Sequence, residues 1–199
     1  MAIMAAGINC LDVPTVMHEQ DQRLRGALED YARRLPEQAD VAREFLELLD
    51  AAGVDPFTRE RLAGHFTGSA WLLSADGRRV LLTHHRKLQR WLQLGGHADG
   101  DHDPAAVALR EAEEESGLPG LALASAEIYD LDRHWIAARA EVPGHWHYDV
   151  RYVVMAGASE EFLVSDESLA LAWRPVTEIA EAADESMRRM ALRWLAQTG

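Results

Sequence analysis

The sequence is short of cysteine, of positive charge and of long apolar runs, and each shortage excludes something. A lone Cys10 in 199 residues rules out an internal disulfide and agrees with a reducing compartment, for which the cytoplasm is the default expectation. Lys and Arg number 20 against 33 Asp and Glu, a formal net charge of -13, and no basic run offsets it. A nucleic-acid polymer, itself a polyanion, is therefore not expected as a partner. The fairly apolar opening, residues 1–17, contains Asp12 and Pro14 and lacks a basic start. It falls short of the roughly 18 to 20 apolar residues of a membrane span, so neither a signal peptide nor a membrane anchor is expected.

What is present suits a folded chain, with 48% apolar and 27% charged residues. The length fits one main domain with an appended segment. Leu24, Ala27, Leu28, Tyr31 and Leu35 follow helical spacing until Pro36, and Val41, Ala42, Phe45, Leu46, Leu48 and Leu49 repeat it until Gly53. Asp55-Pro56 reads as the start of a third, short helix reaching about Ala63. Residues 1–65 thus read as an all-helical N-terminal extension and 66–199 as the main domain. Beyond Gly64 the pattern turns β-prone: Phe66 to Ser74 and Arg79 to His84 predict a hairpin through Asp76-Gly77. Further strands are predicted at Ala122 to Trp135, His145 to Ala156 and Ala170 to Arg174. A closing helix carries Met187, Met190, Ala191, Trp194 and Leu195.

The most informative stretch lies between these strands. Asp103-Pro104 marks a helix start and Gly117 a helix end, which predicts a helix over about 104–116. Within it Glu111, Glu114 and Glu115 stand at i, i+3 and i+4, so three carboxylates share one face. Such a stack repels itself unless neutralised, and a hard divalent cation such as Mg²⁺ takes oxygen ligands of this kind. A solvated acidic face would show the same bare spacing. The flanking residues argue otherwise, because Gly96, Arg110-Glu111-Ala112, Glu114-Glu115, Gly117 and Leu118 stand in a fixed register.

That register resembles the signature of the Nudix hydrolase family: glycine, five residues, Glu, seven residues, Arg-Glu, an aliphatic residue, any residue, Glu-Glu, any residue, Gly and an aliphatic residue. Two positions depart. His102 stands where the signature has its first glutamate, flanked by Asp101 and Asp103, and Leu94 stands where many members have proline. Trp173-Arg174-Pro175-Val176 with Glu178-Ile179 is similar to the family's usual ending, so the resemblance covers about residues 66–180. It implies a Nudix α/β/α sandwich with a mixed sheet and a bound Mg²⁺ or Mn²⁺. The implied metal residues are Glu111, Glu114, Glu115 and the backbone at Gly96, or at Gly95 beside it. Glu111 and Glu115 are the implied catalytic residues, with Glu111 a candidate general base. A distal acidic ligand is expected from Glu160, Glu161 or Glu167, of which Glu167 is favoured. Restoring the family's residue by His102→Glu is expected to leave metal affinity unchanged or improved. The implied reaction is cleavage of the diphosphate linkage of a small nucleoside diphosphate derivative. The alternative is a module that binds a nucleotide or a protein partner without cutting, for which His102 is the support. The N-terminal helices are left two roles, a cover over the pocket or a homodimer interface.

A second set of polar residues alternates along two strands. Asp130, Asp132 and His134 project from one face of the first, and His145, His147, Asp149 and Arg151 from one face of the second. Antiparallel pairing would merge them into one surface. His134, His145, His147, Asp149 and Arg151 are the candidate substrate-binding residues, since imidazole and guanidinium groups bind bases, sugars and phosphates. An amphipathic surface strand, with Trp146, Tyr148, Val150 and Tyr152 facing the core, would look alike. His145-x-His147-x-Asp149 also admits a transition-metal site. His84, His85, Arg86 and Lys87 form either a phosphate-holding cluster or a solvated loop.

Overall fold

The computed structural model describes residues 18–139, 141–165 and 168–198. Two helices come first, α1 (Glu19–Arg34) and α2 (Ala39–Leu49), joined by a 3-10 turn at Pro36–Gln38. Pro36 lacks the N–H needed to continue α1, and its fixed φ suits the new turn. Both helices bury the predicted stripes: Leu24, Leu28 and Tyr31 from α1, Ala42, Phe45 and Leu48 from α2.

The third helix does not form. Asp55 accepts a hydrogen bond from the Phe57 N–H at 2.8 Å, as an N-cap would, but residues 55–63 run as turns. Phe57 alone is buried there, while residues 58–61 are Thr-Arg-Glu-Arg and Leu62 is exposed. Without an apolar stripe, nothing offsets the cost of nucleating a short helix.

Eight strands among the described residues make one mixed sheet. They are β1 (Gly64–Leu73), β2 (Arg79–His85), β3 (Arg90–Leu92), β4 (Leu94–His97), β5 (Ala122–Leu123), β6 (Asp130–Ile136), β7 (His145–Met155) and β8 (Ser168–Pro175). Central β1 and β7 run parallel from Gly64↔Trp146 to Leu73↔Met155, and the other pairings are antiparallel. The expected β1–β2 hairpin closes through Gly77, at φ +69, with Ser74 N–H donating to the Arg79 carbonyl at 2.9 Å. Its strands meet only at Leu73↔Val80 before β2 goes on to pair with β8. The strand expected over 122–135 divides into β5 and β6.

Helix α3 (Pro104–Ser116) keeps the expected bounds, and α4 (Val176–Ile179) and α5 (Glu185–Thr198) follow β8. Alternation along β1 and β7 decides what each layer covers. Leu28, Tyr31 and Phe45 share one core with Phe66, Val107, Ala108, Val150 and Tyr152, so α1, α2 and α3 are packed together. On the other face α4 and α5 cover Trp71, Leu73 and Val153 with Val176, Met187 and Met190. The result is the α/β/α sandwich preceded by helices. No helix among the described residues is long and apolar enough to cross a membrane.

A shared core has a measurable consequence. Phe45→Ala, at a fully buried position, is expected to lower the unfolding free energy by about 3–5 kcal/mol. Urea unfolding followed by both helix circular dichroism and tryptophan fluorescence should show one coincident transition. A separate early loss of helix would contradict the shared core.

Candidate active site

The acidic helix is placed by its ends and by glycine. Asp103 accepts from the N–H groups of Ala105 at 3.1 Å and Ala106 at 3.2 Å, and Gly117 takes φ +65 to end α3. A Cβ on Gly68 would collide with the Pro104 carbonyl and Val107, so glycine lets α3 close onto β1. That approach aims the carboxylates at β4. Glu115 Oε1 accepts from the Gly95 N–H at 3.3 Å, and the Glu111 carboxylate fills the space that a Cβ on Gly96 would need. Glu114, one turn along, is exposed. Arg110 donates to Asp101 at 3.0 Å and lies 3.7 Å from Glu111 Oε1. Glu111 and Glu115 thus lie beside a glycine cradle, with the exposed Glu114 on the same helix face, and their carboxylate oxygens are donors of the kind that a hard divalent cation takes.

His102 lies away from that face. Its Nδ1 is 2.7 Å from the Asp21 carboxylate, its Nε2 3.1 Å from Asp55, and its ring stacks on Phe57 at 4.2 Å between centroids. It therefore ties α1 and the turn after α2 to the loop preceding α3. Burial, the largest single influence, pushes its pKa down, but Asp21 and Asp55 together hold it above the ordinary value. The flanking aspartates have separate duties: Asp101 anchors Arg110, and Asp103 caps α3. Of the distal candidates, Glu160 accepts from Arg79 at 2.6 Å, Glu161 is exposed, and Glu167 lies outside the described residues.

The two polar strands share a face as expected, through the register Asp130↔Arg151, Asp132↔Asp149 and His134↔His147. That face is largely buried, so it is no solvated amphipathic surface. Arg151, 3% exposed, donates to Asp149 at 2.7 Å and Asp130 at 3.2 Å, and pairs with Asp132 at 3.2 Å. Asp149, 2% exposed, also accepts from Thr67 at 2.9 Å, Ser69 at 2.7 Å and Gln93 at 3.3 Å. Asp130 further receives Arg189 and Arg193 from α5. Burial is the strongest influence on the Arg151 guanidinium and opposes its charge, yet Asp149, Asp132 and Asp130 hold its pKa above the ordinary value.

The histidines converge instead on one another. The Nε2 atoms of His145 and His147 are 3.2 Å apart, His65 from β1 and His97 from β4 lie against them, and His134 packs edge-on to His147. Burial, reinforced by neighbouring imidazoles, pushes His147 down to about 2. Burial, then Arg59, pushes His97 down to about 4, and burial also lowers His65. The three rings are neutral at ordinary pH. His65 and His97 escape the strand patterns of the sequence. His65 sits one residue ahead of the strand predicted from Phe66, and extending the alternation of Ser69 and Thr67 backwards would have reached it. Around the β2–β3 turn, His84 stacks on Trp91, His85 Nδ1 accepts from the Lys87 and Leu88 N–H groups, and Arg86 donates to the Ser168 carbonyl. Those polar groups serve local structure.

A NUDIX domain model matches residues 65–195, and the chain belongs to that family. It is a Nudix hydrolase, an enzyme acting on phosphoanhydride bonds. A NUDIX-family hydrolase from Clostridium perfringens is similar at 26% identity over 68% of this chain and 98% of its own, with a TM-score of 0.53. A C. elegans Ap4A hydrolase is 16% identical over 67% and 96%, with a TM-score of 0.50. An E. coli dihydroneopterin triphosphate pyrophosphohydrolase is 15% identical over 66% and 95%, with a TM-score of 0.51. The last two show a shared fold. A comparison with curated proteins returns no match.

The geometry of His102 adds a stability consequence for His102→Glu, which would set a third carboxylate between Asp21 and Asp55. Because its folded-state pKa is raised, the stabilisation is fully present below the unfolded value of about 6.5 and fades as pH rises through the folded value. His102→Gln should therefore fall furthest below the parent on the acid side of that window, with the gap narrowing as pH rises through it. His102→Glu should be the less stable variant across that range. Thermal melts of the three proteins check this, and a gap that widened with pH would overturn it.

Proposed function

We propose that the chain is a metal-dependent hydrolase cutting the diphosphate linkage of a small nucleoside diphosphate derivative. The supporting observation is Glu111 and Glu115 set against Gly95-Gly96, with Glu114 on the same face of α3. Glu111, Glu114, Glu115 and the backbone at Gly96 would hold Mg²⁺ or Mn²⁺, whose chemistry there is to neutralise charge developing on the phosphoryl oxygens. Glu111 and Glu115 are the catalytic carboxylates in this reading. Gly95 N–H orients Glu115, while Arg110, itself anchored by Asp101, flanks Glu111. Glu111, with 20% of its side chain exposed, takes the proton from the attacking water onto a carboxylate oxygen.

His134, with 41% of its side chain exposed, offers the substrate a polar contact, and His145 and His147 line the floor behind it. Asp149 and Arg151 act on the substrate face by holding that floor rigid, since their polar atoms are already engaged within the protein. Two of the similar structures are named for Ap4A and dihydroneopterin triphosphate, which supports a small polyphosphate substrate. His102 lends no support to a binding-only module, because Asp101 supplies the carboxylate that anchors Arg110.

Glu114→Gln and Glu115→Gln are each expected to abolish most turnover while leaving far-UV circular dichroism unchanged, since they delete charge and keep volume. The assay is nucleotide or phosphate release from a panel of nucleoside diphosphate derivatives with Mg²⁺, with Mn²⁺ and with chelator. Near-normal turnover in both variants would overturn the metal assignment. Silence of the folded parent across the panel would overturn the substrate class.

A further inference from the structure

The cluster of imidazoles behind His134 lies on the other face of β1 from the carboxylate row. Alternation along β1 turns Gly68 toward α3 and His65 away from it, so the histidines and the acidic helix lie on opposite sides of that strand. We propose that His65, His145 and His147 form a second metal site, for one first-row transition ion of the Zn²⁺ class.

Position is the first ground. One ring nitrogen from each of the three lies within 4.8 Å of the others. A tetrahedral ion with metal–nitrogen bonds of about 2.0–2.1 Å sets its ligand nitrogens ~3.3 Å apart, so small side-chain rotations close the site. His145 and His147 already have that spacing, with Nε2 atoms 3.2 Å apart.

Orientation is the second. His145 Nδ1 lies 2.9 Å from the Pro143 carbonyl and His65 Nδ1 lies 3.4 Å from the Arg61 carbonyl. A carbonyl only accepts, so each Nδ1 carries the proton and each Nε2 is left with its lone pair for a metal. His65 Nε2 is buried without a hydrogen-bond partner, in a residue 2% exposed. A buried polar atom of this kind needs a partner, and a cation among three imidazoles supplies it.

The donor set is the third. Imidazole suits zinc and its transition-metal neighbours, whereas Mg²⁺ prefers oxygen. Asp149 is not the third ligand that the His-x-His-x-Asp spacing suggests, because Thr67, Ser69, Gln93 and Arg151 occupy it. That place falls to His65, the register partner of His147 across β1 and β7. The His97 ring packs beside the three, its centroid 4.8 Å from His147 and 5.2 Å from His65. The two sites meet at β4, where Gly96 abuts Glu111 and His97 joins the imidazoles.

Co²⁺ is the probe, because a four-coordinate nitrogen site gives it intense visible bands and an octahedral oxygen site only weak ones. The full chain, stripped with chelator and dialysed, should take up one equivalent of Co²⁺ with intense bands, release it to Zn²⁺ and retain it in excess Mg²⁺. Zn²⁺ should also raise the melting temperature, since it binds the folded state. The bands should persist in Glu115→Gln and vanish in His65→Gln and in His147→Gln. Absence of intense bands in the parent, or their survival in both histidine variants, would overturn the site. A weak spectrum lost in Glu115→Gln would place the ion on α3 and overturn it equally. The parent and Glu115→Gln spectra separate these outcomes even if the histidine variants do not fold, and the readout is independent of hydrolysis.

Discussion

The parallel ladder between β1 and β7, from Gly64↔Trp146 to Leu73↔Met155, is the constraint on which the rest of the molecule depends. Both strands are central, so both of their faces are covered and every polar side chain on them needs a partner. His65, Thr67 and Ser69 consequently meet His147 and Asp149, while Phe66, Gly68, Ala70 and Leu72 turn toward the helices on the opposite side. Arg151, together with Arg189 and Arg193 from α5, completes that buried layer by pairing with Asp149, Asp130 and Asp132 in a space where an unpaired charge would be heavily penalised.

The same ladder separates two kinds of ligand chemistry. On one side glycine at 68 and at 96 removes the side chains that would hold α3 off, so carboxylates reach the β4 backbone and present hard oxygen donors. On the other side buried imidazoles lose their charge and present nitrogen lone pairs. Strand β4 is the seam, with Gly96 and His97 as consecutive residues serving opposite faces.

His102, where the sequence departs from the family signature, is a tether between the N-terminal helices and the loop before α3. Asp101 anchors Arg110 from the adjacent residue, which leaves position 102 free to grip Asp21 and Asp55. The N-terminal helices are thereby fastened beside α3 as well as through Leu28, Tyr31 and Phe45 in the shared core. Catalytic scaffold and extension are joined at the loop that leads into the acidic helix.

Much of the frame was readable in the chain itself. The ends of α3 follow from Asp103-Pro104 and Gly117, the stripes of α1 and α2 from residues one turn apart, and the common face of β6 and β7 from strict alternation. These signals are local, acting between residues within one turn or one pleat, so they survive in a linear reading. The helix after Asp55 failed because a cap is only one term and the buried stripe that sustains a helix was missing. The meeting of His65 with His147, the saturation of Asp149 and the tether at His102 belong to tertiary structure alone. A parallel pairing joins strands far apart in sequence with no tight turn to announce it, and burial, which decides whether a polar group must be paired or neutral, exists only once the layers have closed.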